Sequence, residues 1–236
     1  MNPTKTLHNL GQSLWLDNIT RNLLNSGTLQ RYIDEFSVTG LTSNPTIFDH
    51  AIKNSADYDS DIARRLSRAT PAEDLFFELA LADLTRAADL LRPVFTRTNG
   101  VDGWVSLEVS PVLAHDTQHT IAAARNLSQR AGKSNLFIKI PGTKEGLPAI
   151  EAAIFAGVPI NVTLLFSLEQ YVAAPKPICA GSNGASKLVL TPPSPRSHRS
   201  LSAAGMSRLP ERLQPTWPIG SASPSPSALT RRIWSS

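Results

Sequence analysis

The sequence predicts an α/β fold built on a parallel β-sheet. Two observations in residues 1–172 lead to this prediction. Short apolar runs alternate with longer amphipathic stretches, and each apolar run carries a polar or charged residue in or near its C-terminal half. Repeated strand–helix units favour a parallel sheet with right-handed crossovers, either open or closed into a barrel.

Five segments are predicted to be strands because they are short, apolar and bounded by polar or turn-forming residues. These segments are Ser13–Asp17, Val38–Ser43, Trp104–Val109, Leu136–Ile140 and Ile160–Phe166.

The stretches between these strands have apolar residues at helical spacing and are predicted to be helices. They are Thr20–Ile33, Thr46–Lys53 (a short turn), Pro71–Arg92, Asp116–Arg130 and Lys144–Ala156. Thr70 is expected to cap the third of these, and Gly157 to end the last. The chain shows no internal repeat and no Gly-rich phosphate fingerprint, so a Rossmann fold finds no support.

The composition changes after residue 172. Residues 173–236 carry eight Lys or Arg and one acid, Glu211, for a charge of +7, whereas residues 1–172 carry −3. The same tail holds ten of the eighteen prolines and thirteen serines. Because such a segment cannot bury enough apolar surface to offset its ordering entropy, we predict a disordered tail.

Cysteine usage and hydropathy indicate the compartment. Cys179 is the single cysteine, which excludes a disulfide framework and favours a reducing environment. The sequence has neither an apolar run of 18 residues nor a signal-peptide pattern. We therefore expect a cytoplasmic protein without a membrane span.

Lys139 lies inside the apolar run Leu136–Ile140. Burying an ammonium group disfavours its charged form, which makes a neutral, nucleophilic amine available. An amine of this kind can form a Schiff base with a carbonyl substrate. A lysine on an edge strand, placed there to block aggregation, is the alternative explanation.

Polar residues recur at or near the C-terminal half of all five predicted strands. They are Asp17, Asn44, Glu108, Lys139, Asn161 and Thr163. Active sites of (β/α) barrels are built at that end of the strands. Each residue also has a structural explanation: Asp17 and Asn44 as helix N-caps, Asn161 and Thr163 as hydrogen-bonded core residues, Glu108 as a solvated strand end.

Four motifs resemble the transaldolase family, in the order and at the spacing of that family. They are Leu41–Thr46, Val105–Pro111, Phe137–Thr143 and Asn161–Ser167, and the resemblance covers residues 10–172. The resemblance implies a fold of the (β/α)8 TIM-barrel family, here truncated to about five strand–helix units. It also implies a cytoplasmic enzyme of the pentose phosphate pathway that needs no cofactor and no metal.

The implied reaction moves a dihydroxyacetone unit from a ketose phosphate (sedoheptulose 7-phosphate or fructose 6-phosphate) to an aldose phosphate (glyceraldehyde 3-phosphate or erythrose 4-phosphate). Lys139 would attack the C2 carbonyl, and Asp17 would act as acid and base at the C4 hydroxyl. Glu108 and Thr163 would hold a water that shuttles protons. Asn44 and Asn161 would bind the dihydroxyacetone moiety. The implied partners are sugar phosphates, with neither nucleic acid nor membrane.

After Tyr171 the sequence departs from the family pattern, which continues with a helix and further strands carrying a Ser and an Arg for the substrate phosphate. Reading the codons of residues 176–192, 200–207 and 219–233 one base earlier allows family-like sequence in all three segments. We interpret residues 173–236 as translated out of frame. On this interpretation the chain as printed is expected to be unstable or aggregation-prone, with little or no activity.

Three alternatives to an active transaldolase stay open. The first is a non-enzymatic, pseudogene-like fragment. The second is a binding module whose basic tail contacts an acidic partner, and the third is a smaller fructose-6-phosphate aldolase. Residues 46–103, which lengthen the segment between the second and third strands, argue against the last.

Overall fold

A computed structural model describes residues 2–66 and 70–174 and shows a five-stranded parallel sheet in the order β1-β2-β3-β4-β5. The strands are β1 (Leu14–Asp17), β2 (Val38–Thr42), β3 (Trp104–Glu108), β4 (Leu136–Pro141) and β5 (Ile160–Thr163). All five predicted strands are confirmed, each within one or two residues except for the end of the last. The predicted fifth strand extends too far, because the chain leaves the sheet at Leu164 with a positive φ of 59°.

Nine α-helices surround the strands within the described ranges. They are α1 (Pro3–Asn9), α2 (Arg21–Asn25), α3 (Thr28–Phe36), α4 (Pro45–Lys53), α5 (Asp59–Leu66), α6 (Ala72–Arg97), α7 (Thr117–Ala131), α8 (Gly146–Phe155) and α9 (Leu168–Ala173). Two single 3-10 turns, Ala56–Tyr58 and Pro111–Leu113, complete the connections. The sequence did not predict α1, α5 or α9.

The predicted helix Thr20–Ile33 is wrong as a single element. Gly27 adopts a left-handed conformation with φ 72°, which ends α2 and begins α3. Thr20 caps α2, because its hydroxyl oxygen accepts a hydrogen bond from the Leu23 amide at 3.0 Å.

The predicted helix Pro71–Arg92 is correct in its centre and wrong at both ends. Thr70 is not the cap: its hydroxyl donates to the Arg65 carbonyl, and Pro71 stands at the N-cap position without a side-chain hydrogen bond. The helix also continues through Pro93 to Arg97. By contrast, Gly157 follows α8 with φ 80°, as its predicted role as a helix stop requires.

The main hydrophobic core lies between one face of the sheet and the helices. The strands supply alternate residues, such as Val105, Leu107, Ile138 and Ile140, which are almost fully buried. The helices α6, α7 and α8 cover them, with Leu84, Leu91, Leu127, Ile150 and Ile154 among the buried side chains. Because side chains alternate along a strand, Glu108 and Lys139 lie on the opposite face of the sheet.

Aromatic residues fill that opposite face near the amino ends of the strands. The Trp104 and Phe137 rings stack with their centroids 3.9 Å apart, and Phe95 packs edge-on against Trp104. Trp15 lies over Gly40, where a Cβ atom would come within 2.4 Å of the indole. The aromatic layer closes this end of the face and leaves the polar side chains toward the carboxyl ends.

A buried charged cluster joins α2 to α5, α6 and the 3-10 turn between α4 and α5. Arg21 Nε lies 2.9 Å from Asp83 Oδ1, and Tyr58 donates its hydroxyl hydrogen to Asp83 Oδ2 at 2.9 Å. The Arg21 guanidinium also pairs with Asp61 and stacks 4.5 Å above the Tyr58 ring centroid. Burial raises the pKa of Tyr58 well above its ordinary value, so the phenol stays a hydrogen-bond donor.

Apolar side chains are exposed where the described part of the chain leaves β5. They are Leu164, Phe166, Leu168, Tyr171 and Val172, and Phe166 is 84% exposed. Within the described residues, β1 and β5 are the edge strands of the sheet. No helix in the described ranges is long and apolar enough to cross a membrane.

The predicted tail, residues 173–236, lies outside the described residues except for Ala173 and Ala174. Its disorder and its reading frame therefore stay predictions.

Candidate active site

Strand register brings three of the predicted site residues side by side. Glu108 on β3 pairs with Lys139 on β4, which pairs in turn with Asn161 on β5. In a parallel sheet, paired positions point to the same face, so the three side chains form one row across three strands. The row lies on the face opposite the helices, at the carboxyl end of the sheet.

The amine of Lys139 is held between a carboxylate and a carbonyl. Its Nζ lies 3.0 Å from Glu108 Oε2 and donates a hydrogen bond to the Ser43 carbonyl oxygen at 3.1 Å. Lys139 is 9% exposed, and the Glu108 side chain is nearly as well buried. The lysine is therefore on a central strand with a carboxylate partner, which rules out the edge-strand explanation for it.

Two serines connect the lysine to Asn161. The Ser43 hydroxyl donates to the Ser106 carbonyl at 2.8 Å, and the Ser106 hydroxyl accepts from Asn161 Nδ2 at 3.2 Å. Both serines are almost completely buried. Neither serine was predicted as a site residue, although Ser106 lies two residues before Glu108 and so shares its face of the strand.

Asn44 has the structural role that its position in the sequence allowed. It is the N-cap of α4, and its Oδ1 accepts a hydrogen bond from the Ile47 amide at 2.9 Å. This contact orients the side chain and leaves the amide nitrogen as its remaining polar group. The cap does not exclude a second role in binding.

Asp17 lies at the end of β1, exposed and in register with Thr42. It is not a helix cap, since Thr20 caps the helix that follows. Asp17 and Asn44 together border an open cleft of about 560 Å³. Uncharged polar residues supply most of the rest of its wall, with one histidine: Asn18, Thr20, Asn22, Thr46, His50, Asn54 and Ser55.

The cleft and the lysine are separate features of the site. Over the described residues, the wall of the cleft includes neither Lys139 nor Glu108. Asp17 and Asn44 therefore form one group, on the first two strands, and Glu108, Lys139 and Asn161 form another. Both groups lie at the carboxyl end of the sheet, and no hydrogen bond or ion pair among the described residues joins one to the other.

Thr163 is the last residue of β5 and pairs with Pro141, two positions beyond the Lys139–Asn161 pair. Its side chain is on the same face as Asn161, because the two are two residues apart. Its carbonyl accepts a hydrogen bond from the Gly142 amide at 2.8 Å. Thr163 thus lies one layer nearer the carboxyl end than Glu108.

The fold and this site define a class of protein. The fold consists of strand–helix units of a (β/α) barrel. The site is a buried lysine that is paired with a carboxylate and lies among polar groups at the ends of the parallel strands. Comparison with known proteins supplies the family. A sequence model of the Transaldolase/Fructose-6-phosphate aldolase family matches residues 14–188. The chain belongs to this family.

Curated relatives agree with the family match. The chain is 48% identical over 162 residues to a protein named Transaldolase 2 from Nostoc punctiforme, covering 69% of this chain and 42% of that protein. It is 47% identical over 171 residues to a transaldolase from an Arthrobacter species, covering 72% and 46%. A transaldolase from Thermobifida fusca is 46% identical over 179 residues, covering 76% and 49%.

The aligned part of the chain spans less than half the length of these curated relatives. The family match extends past residue 172, the predicted end of the transaldolase-like part. That boundary stays a prediction.

Proposed function

We propose that the described site performs the Schiff-base chemistry of transaldolase on a ketose phosphate. The observation that carries the proposal is the position of Lys139 Nζ, buried on a central strand and 3.0 Å from the Glu108 carboxylate. An amine must lose a proton before it can attack a carbonyl, and a carboxylate at this distance is a suitable acceptor.

The reaction begins with attack of the neutral Lys139 amine on the C2 carbonyl of the ketose. The carbinolamine that forms loses its hydroxyl group as water, with a proton supplied by a group such as Glu108, and becomes a protonated iminium. Glu108 and Thr163 lie at successive layers of the same face, which is where a water shuttling these protons would be held.

Cleavage of the C3–C4 bond then follows. Asp17 takes the proton of the C4 hydroxyl, the bond electrons move to the iminium, and an aldose phosphate leaves. The remaining enamine, bound through Lys139, is the dihydroxyacetone unit. Asn44 and Asn161 hydrogen-bond its hydroxyl groups until an acceptor aldehyde arrives, after which the steps run in reverse.

The cleft beside Asp17 and Asn44 suits the hydroxylated chain of a sugar, since most of its wall consists of side chains that donate and accept hydrogen bonds without carrying charge. If Asp17 acts at the C4 hydroxyl as proposed, the cleft beside it would receive that end of the sugar. The substrates would be the ketose and aldose phosphates of the pentose phosphate pathway.

Reductive trapping tests the proposal. Incubation of the full chain with fructose 6-phosphate and borohydride should add a dihydroxyacetone-derived or hexose-derived mass to the peptide containing Lys139. Lys139→Ala should abolish this adduct, while Lys144→Ala, which replaces an exposed lysine in the following loop, should keep it. Absence of an adduct on Lys139 in the unsubstituted chain would refute the proposal.

We propose further that complete turnover by this chain is low. Within the described residues β5 is an edge strand with four half-buried residues, so water reaches Asn161 and Thr163. Water competes for the hydrogen bonds that hold a small substrate and screens its interactions with charged groups. Turnover of fructose 6-phosphate and erythrose 4-phosphate at a rate typical of enzymes, on the order of 10 per second, would contradict this.

A fructose-6-phosphate aldolase would release dihydroxyacetone without an acceptor. Measuring free dihydroxyacetone in the absence of erythrose 4-phosphate therefore separates the two activities of the family. We expect retention of the adduct on Lys139 and little release.

The reading frame of residues 173–236 can be tested directly. Resequencing the coding DNA across the codons for residues 172–176 would show whether a base is missing. A missed base would mean that the printed tail does not exist, whereas a confirmed sequence would mean that the base loss is real and that the tail is translated as printed. Shifted-frame codons that do not encode family-like sequence would refute the out-of-frame interpretation.

A further inference from the structure

Ser43 occupies a position that no role assigned so far explains. It directly follows β2 and is 1% exposed. Its backbone carbonyl accepts the hydrogen bond from Lys139 Nζ, and its hydroxyl donates to the carbonyl of Ser106 on β3. One residue at the end of β2 thus contacts both β3 and β4, although it is 96 positions away from Lys139 in the chain.

We propose that Ser43 is a positioning residue for the Schiff-base lysine. Its hydroxyl fixes the chain after β2 to β3, and this contact holds the Ser43 carbonyl against Lys139 Nζ. The inference rests on the proposed function, in which Lys139 is the nucleophile, but its test does not require any turnover.

The chain directly after β2 needs a side-chain contact to fix the direction of its carbonyl group. Residue 43 is beyond the last paired residue of β2, so the sheet ladder does not hold its carbonyl in place. A hydroxyl-to-carbonyl hydrogen bond of 2.8 Å supplies the missing constraint. Without it, the carbonyl can turn away, and the Lys139 amine loses one of the two acceptors that hold it in place.

The test measures the reactivity of Lys139 toward acetic anhydride in the full chain, by trace labelling and peptide mass spectrometry, with exposed Lys144 as the internal standard. Ser43→Ala should raise the labelling of Lys139 relative to Lys144 by about threefold or more, because the amine loses a hydrogen-bond acceptor and is freer to react. Ser43→Thr, which keeps the hydroxyl, should restore the original ratio.

Ser110→Ala is the matched control. Ser110 is 2% exposed and close to the end of β3, and its hydroxyl has no hydrogen-bond partner among the described residues. This variant should label Lys139 like the unsubstituted chain. If Ser43→Ala does not fold, as judged by its thermal transition, the isosteric pair Ser43→Thr and Ser43→Val repeats the comparison at constant side-chain shape.

An unchanged labelling ratio in Ser43→Ala, a change of equal size in Ser110→Ala, or failure of Ser43→Thr to restore the ratio would each overturn the proposal. The borohydride experiment stays separate from these outcomes. If the unsubstituted chain forms no adduct with fructose 6-phosphate, the Schiff-base function fails, while the labelling ratio still decides whether Ser43 positions the lysine.

Discussion

At the scale of single residues, Lys139 combines burial with two polar contacts. Its amine lies on a central strand, against the Glu108 carboxylate and the Ser43 carbonyl. The carboxylate is the stronger of the two acceptors because it carries a full charge. The burial expected from the sequence is present, and the amine also has a carboxylate partner; in the proposed reaction, Glu108 or water accepts a proton from this amine.

Asn44 offers a prediction at the same scale, because its cap and its proposed substrate contact use different atoms. Asn44→Ala should lower the free energy of unfolding by about 1 kcal/mol, since α4 loses its N-cap. Asn44→Ser should retain most of that stability, because its hydroxyl can still cap the helix. Urea unfolding followed by circular dichroism measures both changes.

The borohydride reaction then separates the two roles of Asn44. If its amide nitrogen binds the dihydroxyacetone moiety, both variants should trap less adduct on Lys139 than the unsubstituted chain. Full trapping in Asn44→Ser would show that the residue is a helix cap alone.

At the scale of elements, the charged cluster of Arg21, Tyr58 and Asp83 holds α2 and the turn before α5 against α6. Asp83→Ala should destabilise the protein by about 3 kcal/mol, because it leaves the Arg21 guanidinium buried without its main partner. Chemical unfolding measures this loss. Asp89→Ala removes an exposed acid of the same helix that pairs with Lys133, and it should change stability by less than about 0.5 kcal/mol. Equal losses in the two variants would refute a special role for the buried cluster.

The contact between Trp15 on β1 and Gly40 on β2 allows a second prediction at the scale of elements. Gly40→Ala places a methyl group within 2.4 Å of the Trp15 indole, so we expect a loss of about 1–3 kcal/mol through forced movement of the ring. In a Trp15→Ala background the same change should cost much less. A double-mutant cycle measured by thermal unfolding gives the coupling. Additive losses would mean that the overlap with Trp15 is not the cause.

At the scale of the whole molecule, the apolar residues after β5 and the edge of β5 itself are, among the described residues, the surfaces most prone to self-association. An exposed edge strand beside exposed apolar side chains is a site for aggregation. Replacing Phe166 and Leu168 by Ser should therefore raise the monomer fraction in sedimentation velocity experiments. Phe155→Ser changes another exposed aromatic residue, at the end of α8, and should have a smaller effect. A chain that is already monomeric at high concentration would contradict the prediction.

Much of the fold was predictable because its signals are local. Largely apolar runs of five to seven residues located all five strands, and the end of α8 followed from the left-handed conformation that Gly157 favours. Errors arose where local signals were weak or competed: at Gly27, which splits one predicted helix, and at Pro93, which lies inside a helix that continues past it. Packing of α6 along the sheet overcomes the cost of that proline.

By itself, the sequence determined the strand–helix order, the side chains at the strand ends and the motifs that resemble transaldolase, because each of these depends on neighbours within a few residues. Only the tertiary structure decided which of those side chains meet. It paired Lys139 with Glu108, linked Asn161 to Ser106 and brought the Ser43 carbonyl to the amine. These contacts depend on the register of parallel strands and on the positions of backbone atoms that are far apart in the chain. Residue type and spacing do not predict that register or those positions.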